Sequence, residues 1–479
     1  MSTGPMARTA FRGGTVLTAT GPQSIDMVVT DGVVESWLRP GAPLTGDAVE
    51  LDVTGLHLAP GFVDVHTHLE TQVAGVPTAD DFESGTRAAA FGGTTTVVDF
   101  VRQGPGEDLI ATLQDAAGRA RGRCAVDYGF HQIVGDVTEK SLAQFEQLLE
   151  AGVSSIKLFM AFPGALYSDD SQLLAAMARA AELDMTVMVH AENGLAMEFL
   201  RERAARAGNV SLPWHARTAT PALEGEATNR AIVLAEVADR PNLYFVHVSA
   251  IEAIEVIAAG RRRGLPVAAE TCPHYLFLDT AELDRPWEQA ANFVCAPPLR
   301  TGEHRARLWG ALAANDISVV SSDHCPFCRS ALMPPGERDF AKLPGGIAGI
   351  EFRVALLYDA ALTGRLSLAR FVELTATTPA RLFGLSPAKG TLLPGADADL
   401  TILDPSGSTA TAASAHHMRV DHSVFEAFSL RGAVRSVYLR GRELVRDGEW
   451  VGPIADGRFV ARPPDPQHWN RTAQPNRPV

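Results

Sequence analysis

From Pro60 onward, short apolar runs alternate with longer stretches whose apolar residues recur every three to four positions. A short apolar run bounded by turn residues predicts a strand, and the longer period predicts a helix. Strands are predicted over 62–66, 95–100, 125–134, 155–160, 186–190, 244–248, 266–271 and 317–322. Helices are predicted between them, among others over 80–91, 141–151, 171–183, 222–237, 251–263 and 303–314. Eight strands with intervening helices predict an α/β fold, a closed (β/α)8 TIM barrel. Its site belongs at the C-terminal ends of the strands.

Both ends of the chain read differently. Residues 9–52 hold short β-rich runs with a turn at Asp31-Gly32, and 390–449 do likewise, with turns at Arg440-Gly441 and Asp447-Gly448. Neither end buries much alone, so the two are expected to join in one small composite β-sandwich. The domain plan is therefore 1–58 and 389–460 for the two parts of the sandwich and 59–388 for the barrel. The remaining segment, 461–479, is rich in Pro, Arg, Asn and Gln and reads as an extended arm or tail.

Composition narrows the function classes. The 479 residues carry a formal net charge of −14 and no lysine- or arginine-rich run, which argues against a nucleic-acid partner. No uninterrupted apolar segment of about 18 residues predicts a membrane helix. The first residues show no signal-peptide pattern, and the five cysteines are too irregular for a disulfide framework, so a cytoplasmic setting is expected. Cys325 and Cys328 form a lone C-x-x-C with no second pair, and read as packing thiols.

The chemistry lies at the predicted strand ends. His66 and His68, two apart, point to one face and can hold a borderline-soft ion such as zinc. Lys157 sits in the apolar strand Ser155-Ile156-Lys157-Leu158-Phe159. Beside two dications a bare ammonium is disfavoured by burial and by like charge. A carbamate formed with carbon dioxide is anionic and can bridge two metals. His190 and His247 each close another apolar run, and Asp323 supplies a carboxylate at the end of the eighth strand. Asp323 can bind one metal and still act as a general base that later protonates a leaving nitrogen.

These motifs resemble the dihydropyrimidinase/D-hydantoinase family of the amidohydrolase superfamily, over nearly the whole chain. The likeness extends to Asp80-Asp81-Phe82, Phe91-Gly92-Gly93-Thr94, Glu270-Thr271-Cys272-Pro273, Pro297-Pro298-Leu299-Arg300 and Gly395-Ala396-Asp397-Ala398-Asp399. The resemblance implies one metal on His66, His68 and Asp323 and a second on His190 and His247. N6-carboxylysine at Lys157 and a hydroxide would bridge them. It implies two divalent ions, Zn2+ by expectation, and a homotetramer with 462–479 lying across a neighbouring subunit. The implied substrate is a small cyclic amide, ureide or imide, opened at a C–N bond by the bridging hydroxide. Rivals are an allantoinase-like ureide hydrolase, a mononuclear deaminase with no use for Lys157, and a non-catalytic scaffold relative.

The chain also departs from the family pattern. Phe162 stands where a tyrosine usually donates to the developing oxyanion; Ala296 and Gly345 replace a serine and an asparagine that act mainly through backbone atoms. Arg102 takes a place usually held by an apolar residue of the substituent pocket, which Phe159 and Phe162 still line with apolar surface. Gly345-Gly346-Ile347-Ala348-Gly349 is closer to allantoinases.

Overall fold

Eight parallel strands lie side by side in sequence order: Phe62–Thr67, Thr94–Arg102, Asp127–Ile133, Ser155–Phe159, Thr186–His190, Asn242–Phe245, Val267–Thr271 and Val319–Val320. The computed structural model describes residues 8–332, 338–464 and 469. The two edges of the sheet meet where Thr67 bridges His324 in parallel and the His68 N–H donates to the His324 carbonyl at 2.9 Å. Every residue of the first, third, fourth and fifth strands is buried, as a sheet covered on both faces requires. Val63, Val98, Ile133, Met188 and Val319 fill the barrel interior.

The sixth strand is shorter than its apolar run. It was expected over 244–248 but ends at Phe245, because His247 takes a left-handed backbone with φ 40° and turns the chain out of the sheet. The helix expected over 141–151 is two, Glu139–Ala143 and Phe145–Glu150. They break at Gln144, whose side chain donates to Asp108 at 2.6 Å.

The sandwich draws on both ends of the chain. Residues 9–52 supply a four-stranded sheet, while the seven-stranded sheet interleaves His57–Pro60 and Thr15–Thr18 with Leu400–Ala410 and Ser429–Leu439. Within it Leu400 pairs with Pro60 and Leu403 with His57, antiparallel. Phe11, Met27, Leu58, Leu400 and Tyr438 form the core between the sheets. Lys389 joins sandwich to barrel: its buried ammonium meets Asp127 at 2.5 Å, Asp399 at 2.7 Å and Asp397 at 2.8 Å.

Of the expected arm, 461–464 and Trp469 are described; the rest lies outside the described residues. The Arg462 guanidinium is fully buried, donating to the Phe130 carbonyl and to Ser155 Oγ. Trp469 packs edge-on against Tyr244 and donates its indole N–H to the Leu382 carbonyl at 2.9 Å. No helix among the described residues is long and apolar enough to cross a membrane.

Candidate metal centre

The first strand delivers His66 and His68 to the barrel mouth, with ring centroids 5.2 Å apart. His66 Nε2 is 3.1 Å from Asp323 Oδ1 and 3.1 Å from Lys157 Nζ, and His68 Nε2 is 3.4 Å from the same carboxylate oxygen. His66, His247 and Asp323 bring one ligand atom each within 4.8 Å of one another. The His190 and His247 rings lie 4.5 Å apart, edge to face. All six ligand-type residues expected from the sequence therefore converge on one rim.

The donor set fits a metal. His247 Nδ1 is buried without a hydrogen-bond partner, an orphaned lone pair or N–H that an ion nearby would explain. His190 engages Glu192 through Nε2 at 2.8 Å, which leaves its Nδ1 free to ligate. Burial lowers His68 to about 4 and His247 well below the ordinary histidine range, so both are neutral imidazoles, the ligand form, at neutral pH. Burial would raise the Asp323 carboxyl, but the imidazoles of His66, His68 and His247 hold it well below the usual range. Lys157 is lowered to about 8 by burial, against the pull of Asp323 and Glu270. Its ammonium rests over the Phe100 ring at 4.1 Å and the Phe159 ring at 5.0 Å.

The backbone at this rim is bent. Phe162, His247 and Asp323 have φ of 64°, 40° and 47°. Left-handed conformations in such residues cost on the order of 1–3 kcal/mol each and persist where surrounding contacts enforce them, typically at functional sites. Asp323 is anchored by its neighbour His324, whose Nε2 meets buried Asp80 at 3.1 Å and whose Nδ1 accepts from Gly349 N–H.

Above the ligands opens a cavity of about 330 Å³. Lys157, His68, His190, His247 and Asp323 border it, as do Arg102, Phe159, Phe162, Ala296 and Gly345. His66 is fully buried beneath. Gly345 packs beside Ala296: a Cβ on it would sit 3.7 Å from the Ala296 nitrogen.

Sequence reasoning missed the residues that orient the ligands. Glu270, wholly buried, accepts from His66 Nδ1, from the Tyr244 hydroxyl at 2.9 Å and from the His247 N–H at 3.3 Å. One carboxylate thus fixes the His66 tautomer and the His247 turn, the role such outer partners play in metal sites. Glu270 stands in a motif already noted, but its role needs a contact across 204 residues. Glu192, two after His190, and Arg201, which also lines the cavity, went unmarked as well.

The amidohydrolase family profile matches residues 57–444. The D-hydantoinase of Streptomyces coelicolor is 46% identical over 460 residues, covering 95% of this chain and 98% of that protein. The D-hydantoinase of Geobacillus stearothermophilus is 41% identical over 455 residues, 94% and 96% of the two. The crystal structure of dihydropyrimidinase from Brevibacillus agri superposes with a TM-score of 0.92 at 40% identity, covering 95% of this chain and 99% of that one. The chain belongs to the dihydropyrimidinase/D-hydantoinase family of amidohydrolases.

Proposed function

We propose that this chain is a binuclear metal-dependent hydrolase that opens the C–N bond of a cyclic amide, ureide or imide ring. The observation that carries the reading is the meeting of His66, His247, Asp323 and Lys157 at the floor of a cavity walled by apolar rings. The donor set of nitrogen and oxygen suits Zn2+. His66, His68 and Asp323 would hold one ion and His190 and His247 the other. The Lys157 amine, neutral once deprotonated, would add to carbon dioxide and release one proton to become N6-carboxylysine, a further anionic ligand for the ions. When bound, such ions polarise a carbonyl and make water acidic enough to attack near pH 7.

The chain's own groups do the rest. Asp323 takes the proton of the attacking water on its carboxylate and returns it to the ring nitrogen as the C–N bond breaks. Glu270 keeps His66 Nδ1 protonated, so that Nε2 offers its lone pair to the centre. Phe159 and Phe162, stacked and tilted against His190, shed water from the ring's approach. The backbones of Ala296 and Gly345, which line the cavity, would meet the ring's amide edge. All five cysteines are free, which supports a reducing, cytoplasmic setting.

The deciding experiment is a ring-opening screen of the metal-loaded enzyme on dihydrouracil, hydantoins, allantoin and cyclic imides. Turnover of at least one ring, lost on chelation and regained with zinc, is the expected result; no turnover across the panel overturns the reading. Phe162 offers no hydroxyl to the developing oxyanion, and a missing donor costs on the order of 10²–10³ in rate. Dihydrouracil and unsubstituted hydantoin are therefore expected to turn over far below a typical enzyme median of about 10 s⁻¹. Phe162→Tyr should raise both rates, and steady-state kinetics that show no gain would remove the hydroxyl from the argument.

We further propose a homotetramer. Leu195 and Phe199, one turn apart on the helix Gly194–Arg206, are 55% and 57% exposed. Val233 and Val237 on the helix Pro221–Val237 are 47% and 69% exposed. Exposed apolar residues paired along a helix face suit a protein interface. Light scattering at micromolar concentration should give four times the 51.1 kDa chain mass, and a monomer would refute it.

A further inference from the structure

Two guanidinium groups stand in the wall of the cavity. Arg102 ends the second barrel strand, and Arg201 lies on the helix that follows the fifth; both line the cavity together with Phe100, Ile133, Phe340 and Leu166. Neither has an ion pair among the described residues. Arg102 makes one hydrogen bond, Nη1 to the Gln72 carbonyl at 3.2 Å. The Nε of Arg201 is buried without a hydrogen-bond partner, while Glu192 and Glu198 lie near enough to stabilise its charge.

The acids near Arg102 are already committed. It also borders a second cavity, of about 450 Å³, whose wall carries Glu70, Asp99, Glu107, Asp108 and Asp115, the last two paired with Lys140 at 3.2 Å and Arg119 at 2.9 Å. Glu70 pairs with Arg123 at 2.8 Å and Arg119 at 3.4 Å. Asp99 accepts from Thr67 Oγ1 and the Leu69 N–H, and Glu107 from the Gly104 N–H. Inside the first cavity Asp323 is the one carboxylate among the described lining residues, and it is held by His66 and His68. Arg102 is half-buried at the mouth, so an incoming carboxylate meets a guanidinium that no ion pair among the described residues already occupies.

We infer that the cavity selects rings whose exocyclic substituent ends in a carboxylate, and that Arg102 is the residue that reads it. This rests on the ring-opening reading above and narrows its substrate class. The planar guanidinium matches a carboxylate in a two-pronged geometry that a neutral amide cannot reproduce, and the Gln72 bond helps hold the fork in place. Arg201 adds positive potential to the same cavity.

The test compares two hydantoins that differ only at the end of the 5-substituent, a propionate and the matching propionamide, on metal-loaded enzyme. The wild type should prefer the propionate at least about tenfold in kcat/KM, since a hydrogen bond to a charged group is worth roughly 10–100-fold. Arg102→Gln should bring the acid-to-amide ratio to about one, chiefly through KM of the acid. A ratio near one in the wild type, with both rings opened, overturns the inference and leaves the ring-opening reading intact. Arg102→Gln that slows both rings alike and keeps the ratio would show that Arg102 only holds the Gln72 backbone, which also overturns it. A ratio that survives Arg102→Gln and collapses in Arg201→Gln overturns the assignment to Arg102. If neither these rings nor any of the earlier panel opens, the ring-opening reading fails and takes this inference with it.

Discussion

Lys157→Ala is expected to lower kcat by at least about 10³-fold, because the Lewis-acid and nucleophile-generating roles of a metal pair are each worth several kcal/mol. The lysine is too buried, and too close to His66, for a bare ammonium to be tolerated beside divalent ions. Burial brings its pKa down to about 8, so an amine able to take up carbon dioxide is within reach of neutral pH. The alanine variant leaves a space on the cavity floor. A short-chain carboxylic acid supplied in solution can occupy it and stand in for the carbamate, and partial recovery of activity should follow its concentration. Metal analysis should find two ions per chain in the wild type and fewer in the variant. Two ions retained with activity near wild type would show that Lys157 bridges nothing. So would an unmodified lysine mass in the active, metal-loaded protein.

Asp323→Asn should cost about 10²–10⁴ in kcat, the usual worth of a positioned acid–base group, and lose little protein stability. The amide keeps the size of the side chain and one ligating oxygen but cannot take a proton. Asp323 contacts both His66 and His68, so metal content must be measured beside the rate. Full metal content with a collapsed kcat assigns the loss to proton transfer, and loss of one ion assigns it to ligation. Activity above about a tenth of wild type with both ions present would contradict the proton role. Glu270 offers a contrast: it acts through His66 and touches no substrate, so it is a positioning residue.

The barrel and the ligand residues were legible because both are local patterns. A strand of a parallel sheet is an apolar run, and a ligand is a polar residue that ends one, as His190 ends Thr186–His190. The same logic misled at the sixth strand: Val246 and Val248 are buried and apolar, yet His247 already has left-handed backbone. Periodicity cannot report a φ. Nor could it reveal Glu270 beneath His66, or Arg201 turned toward the mouth from a helix with no distinct stripe, since both depend on contacts distant in sequence. Arg462 and Trp469 come from a segment whose average composition reads as a tail. Averages hide single anchors, and these two are buried beneath the barrel.

The interleaved sandwich imposes an order on synthesis. His57–Pro60 emerges from the ribosome about 340 residues before Leu400–Ala410, the strand it must pair with. At typical elongation rates that wait is on the order of tens of seconds. The four-stranded sheet within residues 9–52 can form early, but the core on one of its faces lacks Leu392, Leu400, Ile402 and Tyr438 until the far end of the chain arrives. A nascent chain of this protein therefore carries an incompletely covered apolar core through most of its translation. That is the interval in which a chaperone has most to protect and a ribosomal stall most to damage.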